Sequence, residues 1–350
     1  MAAIRVHLLT CNRQHLLPRA LASLRAQTFP DWVCEIHNDA PGDPGPGKVV
    51  REFDDSRVQL IDHPSNLGGV GSFNAIHRPI AEPFFSILED DNWWEPDLLG
   101  VLLEALERAP AAAAAWANMR IWEEGRGGTW RDTGRCIWPT SAFVDNRLFH
   151  WAQPLQFNDA LHSNGSMLLR ASFAARLVIP ESTPFDLMEA LRERLIPHPL
   201  LLVPKPLANY AMTAATTRSN SAVTWGQCKA LLGAAFLLHA RLTRADIRRI
   251  WKSQRQLMPR STGALFWAAC LGRRFSFLRG ANSVDWSFFW LQSARHPARL
   301  WRILQAKRAH REVWERLNLA IAERFAESRA CGRPDVETAG VATREECISC

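Results

Sequence analysis

The first hundred residues alternate between short apolar runs and segments with a helical period. Ile4 to Leu9, Trp32 to His37 and Phe84 to Leu88 each stop abruptly at polar residues, as buried strands do. Between the first two runs, His15 to Gln27 places its leucines and alanines on one helical face. Strands and helices that alternate at this spacing predict an α/β fold, with a mostly parallel sheet and helices on both faces.

The run that ends at Leu88 is followed directly by the polar residues Glu89, Asp90, Asp91 and Asn92. Open α/β sheets bind their ligands at the carboxyl ends of strands, so these acids lie at a predicted site. Neighbouring carboxylates repel each other, and a fold that holds them together normally provides a cation. The sequence therefore predicts a divalent metal at this strand end. The alternative is a solvated acidic turn that caps the next helix.

Length and charge limit the possible classes of protein. The chain has 350 residues, 47% of them hydrophobic, which exceeds one average domain and suffices for a large core. Its net charge of +7 fits an anionic partner such as a nucleotide phosphate, a nucleic acid or an acidic bilayer. Basic residues are concentrated between Arg241 and Arg316, and charge alone does not choose among these partners.

The eight cysteines have no repeating spacing, and the chain shows no secretory signal, which predicts free thiols in a reducing cytoplasm. Cys347 and Cys350 form a C-x-x-C pair that no second pair completes as a zinc site, and the histidines show no paired metal-ligand spacing. The longest apolar stretches, Ala230 to Leu238 and Gly263 to Leu271, fall short of the roughly 20 residues that a spanning helix needs. We therefore expect a cytoplasmic protein with no transmembrane segment.

The chain beyond the acids falls into segments of different character. Asp97 to Arg108 predicts a helix, Ala111 to Ile121 a strand and Leu200 to Val203 another strand. Residues 122–158 are rich in Gly, Trp, Asp and Arg, which is typical of loops or edge strands that hold acceptor-binding residues. From Ala222 onwards the pattern is helical, basic and rich in tryptophan. These shifts predict a domain boundary near residue 220, a helical region at 221–328 and a disordered tail at 329–350.

Polar motifs follow one another in a characteristic order: Thr10-Cys11-Asn12-Arg13 after the first strand, Asn38-Asp39 after the second, Asn66-Leu67-Gly68 before a helix, and then the acids. Together they resemble the nucleotide-sugar transferases of glycosyltransferase family two, which have the Rossmann-like GT-A fold. The chain departs from the family at two motifs. The turn at Asn38 keeps only the second acid of the usual D-D-G-S, and the helix start at Asn66 lacks the family's arginine.

The resemblance implies a GT-A catalytic domain at residues 1–220, with a nucleotide-sugar-binding half at 1–97 and an acceptor-binding half at 98–220. Within it, Thr10 and Asp39 would line the base, Asp90 would reach the ribose, and Asp91 would bind manganese or magnesium. The other donor-side residues implied are Asn12, Arg13, Asn66 and Gly68. The metal would act as a Lewis acid at the departing oxygen of the nucleoside diphosphate. The role of Glu89 stays open.

An inverting sugar transfer also needs a base that removes the proton of the acceptor hydroxyl. The resemblance places this acid after the metal motif, near the start of a helix, where Asp186 is the first candidate and Glu189 the second. The alternative is that Asp186 only caps its helix. Asn164 and Gly165 resemble the family's acceptor-side turn, although a plain tight turn fits them equally well. Trp93 is the third acceptor-side candidate, as a wall of the sugar pocket, with core packing as the alternative.

The basic, tryptophan-rich helices of residues 221–328 have two interpretations. Amphipathic helices of this composition can lie at an anionic membrane interface, which suits an enzyme with a lipid-linked acceptor. Alternatively, their aromatic residues pack the helices onto the catalytic domain or form a homodimer contact.

The sequence therefore predicts a metal-dependent, inverting glycosyltransferase. The expected donor is a nucleotide-diphosphate sugar, most simply a UDP-sugar, and the acceptor is a hydroxyl of a glycan, a lipid-linked oligosaccharide or a protein. The expected role is polysaccharide biosynthesis, in the cytoplasm or on the inner face of the membrane. The alternative is a catalytically inactive nucleotide-sugar-binding protein with the same fold. Nucleic acid is not expected as a partner, because acids at the strand end disfavour binding of a phosphate backbone there.

Overall fold

The computed structural model describes residues 2–138, 145–149, 157, 164–197, 199–213, 221–257 and 262–330. The chain divides into two compact units. The first comprises residues 1–149, 162–178 and 196–216, and the second comprises residues 150–161, 179–195 and 217–350. The sequence-based division at 1–220, 221–328 and 329–350 stays a prediction, and the tail beyond Ala330 lies outside the described residues.

The first unit is built around one sheet, in which the described residues form ten strands. These are β1 (Ile4–Thr10), β2 (Trp32–Asn38), β3 (Val58–Asp62), β4 (Phe84–Glu89), β5 (Trp93–Trp94), β6 (Ala114–Glu124), β7 (Trp130–Cys136), β8 (Arg147–Phe149), β9 (Met167–Arg170) and β10 (Leu200–Met212). The strand order is β3-β2-β1-β4-β9-β6-β10-β5, with β7 paired to β6 and β8 paired to β10. The helices of this unit are α1 (Leu17–Arg25), α2 (Gly45–Phe53), α3 (Gly68–Ile76) and α4 (Leu98–Arg108).

The four strands β3, β2, β1 and β4 are parallel and form one half of the sheet. Their register pairs Thr10 with Asn38 and Leu9 with Glu89, so the polar turns after β1, β2 and β4 reach the same edge. The other half is mixed, because β9 runs antiparallel to both β4 and β6, while β6 and β10 are parallel. The predicted α/β fold is confirmed, but the sheet is mixed, and the mostly parallel arrangement that the sequence predicted holds only for the half that carries the acids.

Apolar faces of helices cover the sheet as the helical period predicts. In α1, Leu17, Leu21 and Leu24 are fully buried, and Pro18 stands in the first turn, where its missing N–H costs no hydrogen bond. Helix α4 buries Leu98, Leu99, Leu102 and Leu106 in the same way. Burial of each such side chain stabilises the folded state by about 1.5–3 kcal/mol. The helices therefore hold the strand ends beside them in place.

Buried ionisable side chains line part of the parallel half. His7 on β1 and Glu35 and His37 on β2 are 0%, 6% and 3% exposed. Burial lowers the pKa of His7 and, with the neighbouring charge of His7, lowers that of His37 to about 3. Burial acts to raise the pKa of Glu35, but hydrogen bonds from His7 and Arg78 and the charge of Arg5 bring it down to about 2. At neutral pH the group therefore consists of two neutral imidazoles beside one carboxylate.

The second unit is helical wherever it is described. Its helices are α5 (Phe185–Leu195), α6 (Ala222–His239), α7 (Arg244–Leu257), α8 (Gly263–Gly272), α9 (Ser283–Arg295), α10 (Pro297–Leu304), α11 (Ala306–Ala309) and α12 (Arg311–Ala330). Trp251 and Phe266 are buried and meet edge to face, with ring centroids 5.4 Å apart. Trp290 and Trp301, in contrast, are 61% and 66% exposed. The aromatic residues of this region therefore divide between core packing and open surface.

Two sequence-based expectations about the whole chain can be compared with the described residues. Free thiols are found at Cys11, Cys34, Cys136, Cys228 and Cys270, while Cys331, Cys347 and Cys350 lie outside the described ranges. Among the helices that the structure describes, none combines the length and the apolar character needed to cross a bilayer.

Candidate active site

The turns that follow β1 and β4 are joined by hydrogen bonds at the sheet edge. The backbone N–H of Asp90 donates to the carbonyl of Leu9 at 3.1 Å. The hydroxyl of Thr10 donates to Oδ2 of Asp90 at 2.8 Å, and Asp90 itself is fully buried. Thr10 and Asp90, which are 80 residues apart in the chain, are therefore held in direct contact.

Asp39 connects this edge to the start of α3. Its backbone N–H donates to the carbonyl of Thr10 at 3.0 Å, and its Oδ1 accepts from the N–H of Leu67 at 2.7 Å. Asn66 donates through Nδ2 to the carbonyl of Asp39 at 2.8 Å and accepts through Oδ1 from the N–H of Gly68 at 2.9 Å. Gly68 has φ +69°, a left-handed conformation that glycine adopts without strain. The Asn-x-Gly motif therefore shapes the helix start around Asp39.

Arg13 bridges both aspartates of the acidic motif. One guanidinium nitrogen lies 2.5 Å from Oδ1 of Asp90, and another lies 2.7 Å from Oδ2 of Asp91. Asn12, just before it, is exposed and has φ 56°, a left-handed conformation that asparagine tolerates. The two carboxylates thus converge on one guanidinium, whereas the divalent metal that the sequence predicted at this strand end stays a prediction.

The electrostatics of Asp90 show why a cation is needed. Burial raises its pKa to about 7, opposed by the charge of Arg13 and by hydrogen bonds, and assisted by the repulsion from Asp91. The pKa of Arg13 is raised by the two aspartates against the opposing effect of burial. Without a nearby cation, the pair of carboxylates would hold a proton in place of a full double charge.

The donor atoms at this edge also fit a divalent metal. Asp90 and Asp91 offer hard carboxylate oxygens that already share one cation, which is the ligand type that Mg²⁺ and Mn²⁺ prefer. Glu89 is engaged differently, since its Oε2 accepts from Nδ2 of Asn92 at 2.9 Å. A metal at Asp91 would replace Arg13 at this position.

Arg19 lies between two tryptophans beside the acidic motif. Its guanidinium carbon is 3.9 Å from the ring centre of Trp93 and 4.0 Å from that of Trp130, and Nη2 donates to the carbonyl of Asp91 at 2.7 Å. Burial lowers the pKa of Arg19 to about 10, although the charges of Asp91 and Glu124 oppose this shift. Contact with two rings, whose planes are inclined at 68°, restricts the guanidinium, and the guanidinium in turn holds the backbone carbonyl of the predicted metal ligand.

The contacts of Arg19 place Trp93 beside the acidic motif. Sequence reasoning missed the other two residues of this group, Arg19 and Trp130. Arg19 lies within a helix that reads as ordinary amphipathic sequence, and Trp130 lies 37 positions beyond Trp93 in a glycine-rich segment. No motif links three such positions. The unusual density of tryptophan around residues 93–130 was the only available signal.

The acceptor-side candidates Asn164 and Gly165 lie in a short 3₁₀ turn over Asn164–Ser166, just before β9. The carbonyl of Gly165 accepts from Nε1 of Trp94 at 2.7 Å, so this turn contacts the neighbour of the predicted Trp93. Asn164 is 4% exposed, and its Nδ2 has no hydrogen-bond partner within the described part of the chain. An unpaired buried amide at this turn is available to a ligand.

The base candidates Asp186 and Glu189 lie in the second unit, on α5. The helix begins at Phe185, so Asp186 stands inside the first turn and not at the capping position. Its Oδ2 is buried and accepts no hydrogen bond from the described residues. The charge of Glu189 acts on the buried Arg192 and opposes the lowering of the Arg192 pKa to about 9. Asp186 therefore has a carboxylate oxygen with no hydrogen-bond partner among the described residues, whereas the charge of Glu189 acts on Arg192.

Residues 6–162 match the family model described as glycosyl transferase family 2. The chain contains a glycosyl transferase family 2 domain. For residues 6–162 this confirms the family, and with it the enzyme class, glycosyltransferase, that the sequence motifs predicted. The matched segment begins in β1 and includes every donor-side candidate from Thr10 to Asp91.

Solved structures share the fold of this chain. The S. aureus protein TarS, residues 1–349 in complex with UDP-GlcNAc, is 14% identical with a TM-score of 0.56, covering 95% of this chain and 93% of that chain. The complex of the same TarS fragment with UDP is 13% identical with a TM-score of 0.54, over 95% and 92%. At this identity the likeness establishes the GT-A fold alone.

A curated relative matches a shorter segment. The uncharacterized protein y4gI of Sinorhizobium fredii strain NBRC 101917 / NGR234 is 24% identical over 105 residues. The match spans 29% of this chain but 12% of that protein's length. It adds no information on substrate.

The bridge made by Arg13 predicts that replacing this residue changes two affinities in opposite directions, that for Mn²⁺ and that for UDP. Arg13→Gln removes a cation that competes for both carboxylates, so Mn²⁺ alone should bind about tenfold more tightly than to the wild type. UDP in the presence of Mn²⁺ should bind more weakly, because the displaced guanidinium no longer reaches the diphosphate. Both affinities can be measured by isothermal titration calorimetry.

The matched control for this experiment is Arg108→Gln, which removes the same charge from a side chain that is 78% exposed. It should leave both affinities unchanged. Unchanged Mn²⁺ affinity in Arg13→Gln, with the protein folded, would show that the guanidinium and the metal do not compete.

Proposed function

We propose that the family 2 domain transfers a sugar from a nucleoside-diphosphate donor to an acceptor hydroxyl, with a divalent metal and with inversion at the anomeric carbon. One observation carries this proposal. Asp90 and Asp91 share a single cation at the carboxyl edge of the parallel strands, in hydrogen-bonded contact with the turn of Thr10. Anionic diphosphate requires a cation held in this way, and this sheet edge is where open α/β folds bind nucleotides.

Asp39 and Asp90 are the proposed partners of the nucleoside. Oδ1 of Asp39 is occupied by Leu67 and His63, whereas Oδ2 accepts no hydrogen bond from the described residues. That oxygen suits an N–H of the base such as the one that uracil presents. TarS, which shares the fold, was crystallised with UDP and with UDP-GlcNAc. A UDP-sugar is therefore the proposed donor.

Asp91 is the proposed metal ligand, with Asp90 beside it on the ribose side. The bound metal would supply Lewis-acid stabilisation of charge on the departing diphosphate. The chain's own contribution is positional. Arg19, in contact with Trp93 and Trp130, fixes the backbone of Asp91. Arg13, which bridges Asp90 and Asp91, would be available to pair with the diphosphate if a metal took its place.

Asp186 is the proposed base. It would accept the proton of the acceptor hydroxyl as that oxygen attacks the anomeric carbon from the face opposite the leaving group. Support comes from its buried Oδ2, which has no partner within the described residues and is therefore available for a proton. Glu189 is the second candidate for this role.

The donor can be identified by thermal stabilisation of the full chain. A panel of nucleotide sugars is added with and without Mn²⁺, and the true donor should raise the unfolding temperature more when the metal is present. Release of nucleoside diphosphate from that donor then measures turnover. A panel in which no nucleotide sugar stabilises the protein would refute the proposed function.

An inactive nucleotide-sugar-binding protein remains the second candidate, favoured by the turn at Asn38. At this position the amide of Asn38 replaces the family's first acid, and its hydrogen bonds are made to other residues of the same unit. Nδ2 donates to Asp62 at 2.8 Å, and Oδ1 accepts from the N–H of Ala40 at 3.1 Å. A protein of this kind would bind the nucleotide sugar without releasing nucleoside diphosphate, so the same panel distinguishes the two.

We also propose that the acceptor is lipid-linked and that α9 and α10 contact the membrane peripherally on its cytoplasmic side. Trp290 and Trp301 are exposed, and the two helices carry arginines at Arg295, Arg299 and Arg302. Exposed aromatic and cationic side chains are attracted to anionic lipid. Trp290→Ser with Trp301→Ser should reduce co-sedimentation with anionic vesicles at low salt about tenfold.

The control for vesicle binding is Leu319→Ser, which changes an exposed apolar residue on α12, a helix other than α9 and α10. It should bind vesicles as the wild type does. Full-length wild type that fails to bind anionic vesicles would refute the membrane proposal, and a concentration-dependent dimer lost in the double variant would favour a homodimer contact.

A further inference from the structure

Three buried donor atoms converge on one point in the parallel half of the sheet. Nδ1 of His7 lies 3.2 Å from Nε2 of His37 and 3.4 Å from Oε2 of Glu35. Nε2 of His37 lies 3.6 Å from the same Oε2. His7 and Glu35 are paired across β1 and β2, and His37 follows Glu35 by two positions, so all three side chains leave the same face.

The hydrogen bonds around His37 determine which of its nitrogens carries the lone pair. Nδ1 of His63 lies 3.1 Å from Oδ1 of Asp39, a carboxylate that can only accept from it. His63 therefore accepts at Nε2, which lies 3.3 Å from Nδ1 of His37. His37 donates from Nδ1, and its Nε2 is left with a lone pair directed at His7 and Glu35.

A proton cannot satisfy all three converging atoms. If His7 donates from Nδ1 to Nε2 of His37, that hydrogen bond uses the one lone pair of Nε2. Oε2 of Glu35, 3.4 Å from the same donor, then gains at most the weaker share of a bifurcated hydrogen bond. One cation placed among the three atoms would satisfy them all.

The separations favour a tetrahedral ion. Zinc bonds of about 2.0–2.1 Å place tetrahedral ligand atoms about 3.3–3.4 Å apart, whereas octahedral coordination at that length places neighbouring ligand atoms about 2.8–3.0 Å apart. The observed separations run from 3.2 to 3.6 Å. Two imidazoles and one carboxylate are a ligand set that zinc accepts, with a water completing the fourth position. We infer that His7, Glu35 and His37 form a zinc site, separate from the cation site at Asp91.

The surroundings of His37 and Glu35 match those of metal ligands, whereas the buried Nε2 of His7 has no hydrogen-bond partner among the described residues. A ligating histidine normally donates its second ring N–H to a fixed acceptor, and His37 does so through His63 to Asp39. The other oxygen of Glu35, Oε1, accepts from Arg5 and from Arg78. Arg78 also lies 2.8 Å from Oε2, and its half-exposed side chain would give up that contact to the metal.

The zinc site would also act on the nucleotide site, an effect that rests on the proposed function. The chain of hydrogen bonds from His37 through His63 ends on Oδ1 of Asp39, the proposed base-binding carboxylate. Zinc would hold the ring of His37 and therefore the orientation of Asp39. His63 is a positioning residue in this arrangement.

The test is zinc binding to the full-length chain in the absence of any nucleotide. The protein is stripped with a chelator and titrated with Zn²⁺, with metal content measured by mass spectrometry and unfolding followed by circular dichroism. We expect one tightly bound zinc per chain and a higher unfolding temperature. Co²⁺ in place of Zn²⁺ should give the intense visible absorption of tetrahedral coordination.

Single substitutions show which side chains bind the zinc ion. His37→Gln should lower Zn²⁺ affinity at least about 100-fold, and His63→Gln should lower it about 10–100-fold as the loss of an outer partner. His77→Gln is the matched control, since His77 is equally buried, packs against Phe85 and lies outside the three ligands. Asp91→Asn should bind zinc as the wild type does.

Two results would overturn the zinc site. One is stripped wild type that binds no stoichiometric Zn²⁺, which would mean that protons alone join the three side chains. The other is zinc that is lost in Asp91→Asn but kept in His37→Gln, which would place the ion at the acidic motif. Because no nucleotide is present, neither result depends on whether the protein transfers sugar.

Discussion

Asp91→Asn is expected to abolish metal-dependent donor binding while the chain stays folded. The substitution keeps the shape of the side chain but removes the charge that a divalent cation requires, and Asp90 alone remains as a buried carboxylate. Metal stabilisation of a departing diphosphate contributes several kcal/mol, so transfer should fall at least about 100-fold. Calorimetry with UDP and Mn²⁺ measures the binding, and release of nucleoside diphosphate measures the transfer.

The comparison for this prediction is Asp97→Asn. Asp97 is a nearby acid whose side chain is 53% exposed and pairs loosely with Lys205 at 3.4 Å, so its loss should change neither binding nor transfer. Circular dichroism and the unfolding temperature establish that both variants fold. A folded Asp91→Asn that still binds UDP with an unchanged dependence on Mn²⁺ would remove the basis of the proposed metal site.

The edge of the parallel sheet could be predicted from sequence because local signals specify it. The run from Phe84 to Leu88 predicted a strand, and β4 is Phe84–Glu89, so the acids begin where the strand ends. An apolar run that is buried on both faces needs no knowledge of distant residues. The polar motifs after β1 and β2 then meet these acids because the strands are parallel and neighbours.

Strand β10 shows where local signals fail. The sequence predicted Leu200 to Val203, but the strand extends to Met212. Prolines at 204 and 206 argue against a strand interior, because proline donates no ladder hydrogen bond. The sheet accommodates them with register shifts between Val203 and Pro206 and between Pro206 and Ala208. Irregular pairing of this kind depends on the partner strand β6 and is not visible in one segment.

The side-chain clusters that join distant segments of the chain could not be predicted from the sequence either. The histidines show no paired spacing along the chain, yet His7, His37 and His63 lie on or just after three adjacent strands and form one hydrogen-bonded line. Their spacing is set by strand order and register, which linear patterns do not encode. The bridge from Arg13 to the two aspartates has the same origin, since the resemblance named all three residues but gave no reason for them to touch.

The identity of the base is best tested with a conservative substitution, because the two interpretations of Asp186 then separate. If Asp186 only stabilises the start of α5 through its charge in the first turn, Asp186→Asn should cost about 0.3–1 kcal/mol of stability and leave the rate of transfer unchanged. If Asp186 is the base, the amide cannot accept the proton of the acceptor hydroxyl. The variant should then keep its unfolding temperature and its affinity for UDP with Mn²⁺.

Asp186→Asn is accordingly expected to lower kcat about 10²–10⁴-fold, the usual contribution of a general base. The measurement is the steady-state rate of sugar transfer, with nucleotide affinity determined separately so that loss of chemistry is not confused with loss of binding. Glu189→Gln is the matched variant one helical turn away, where the charge faces Arg192, and its kcat should change far less. The reverse order of effects would assign the base to Glu189. A full rate in Asp186→Asn would leave this aspartate with a role in the helix alone, because a proton acceptor that can be neutralised at no cost to the rate takes no part in the transfer.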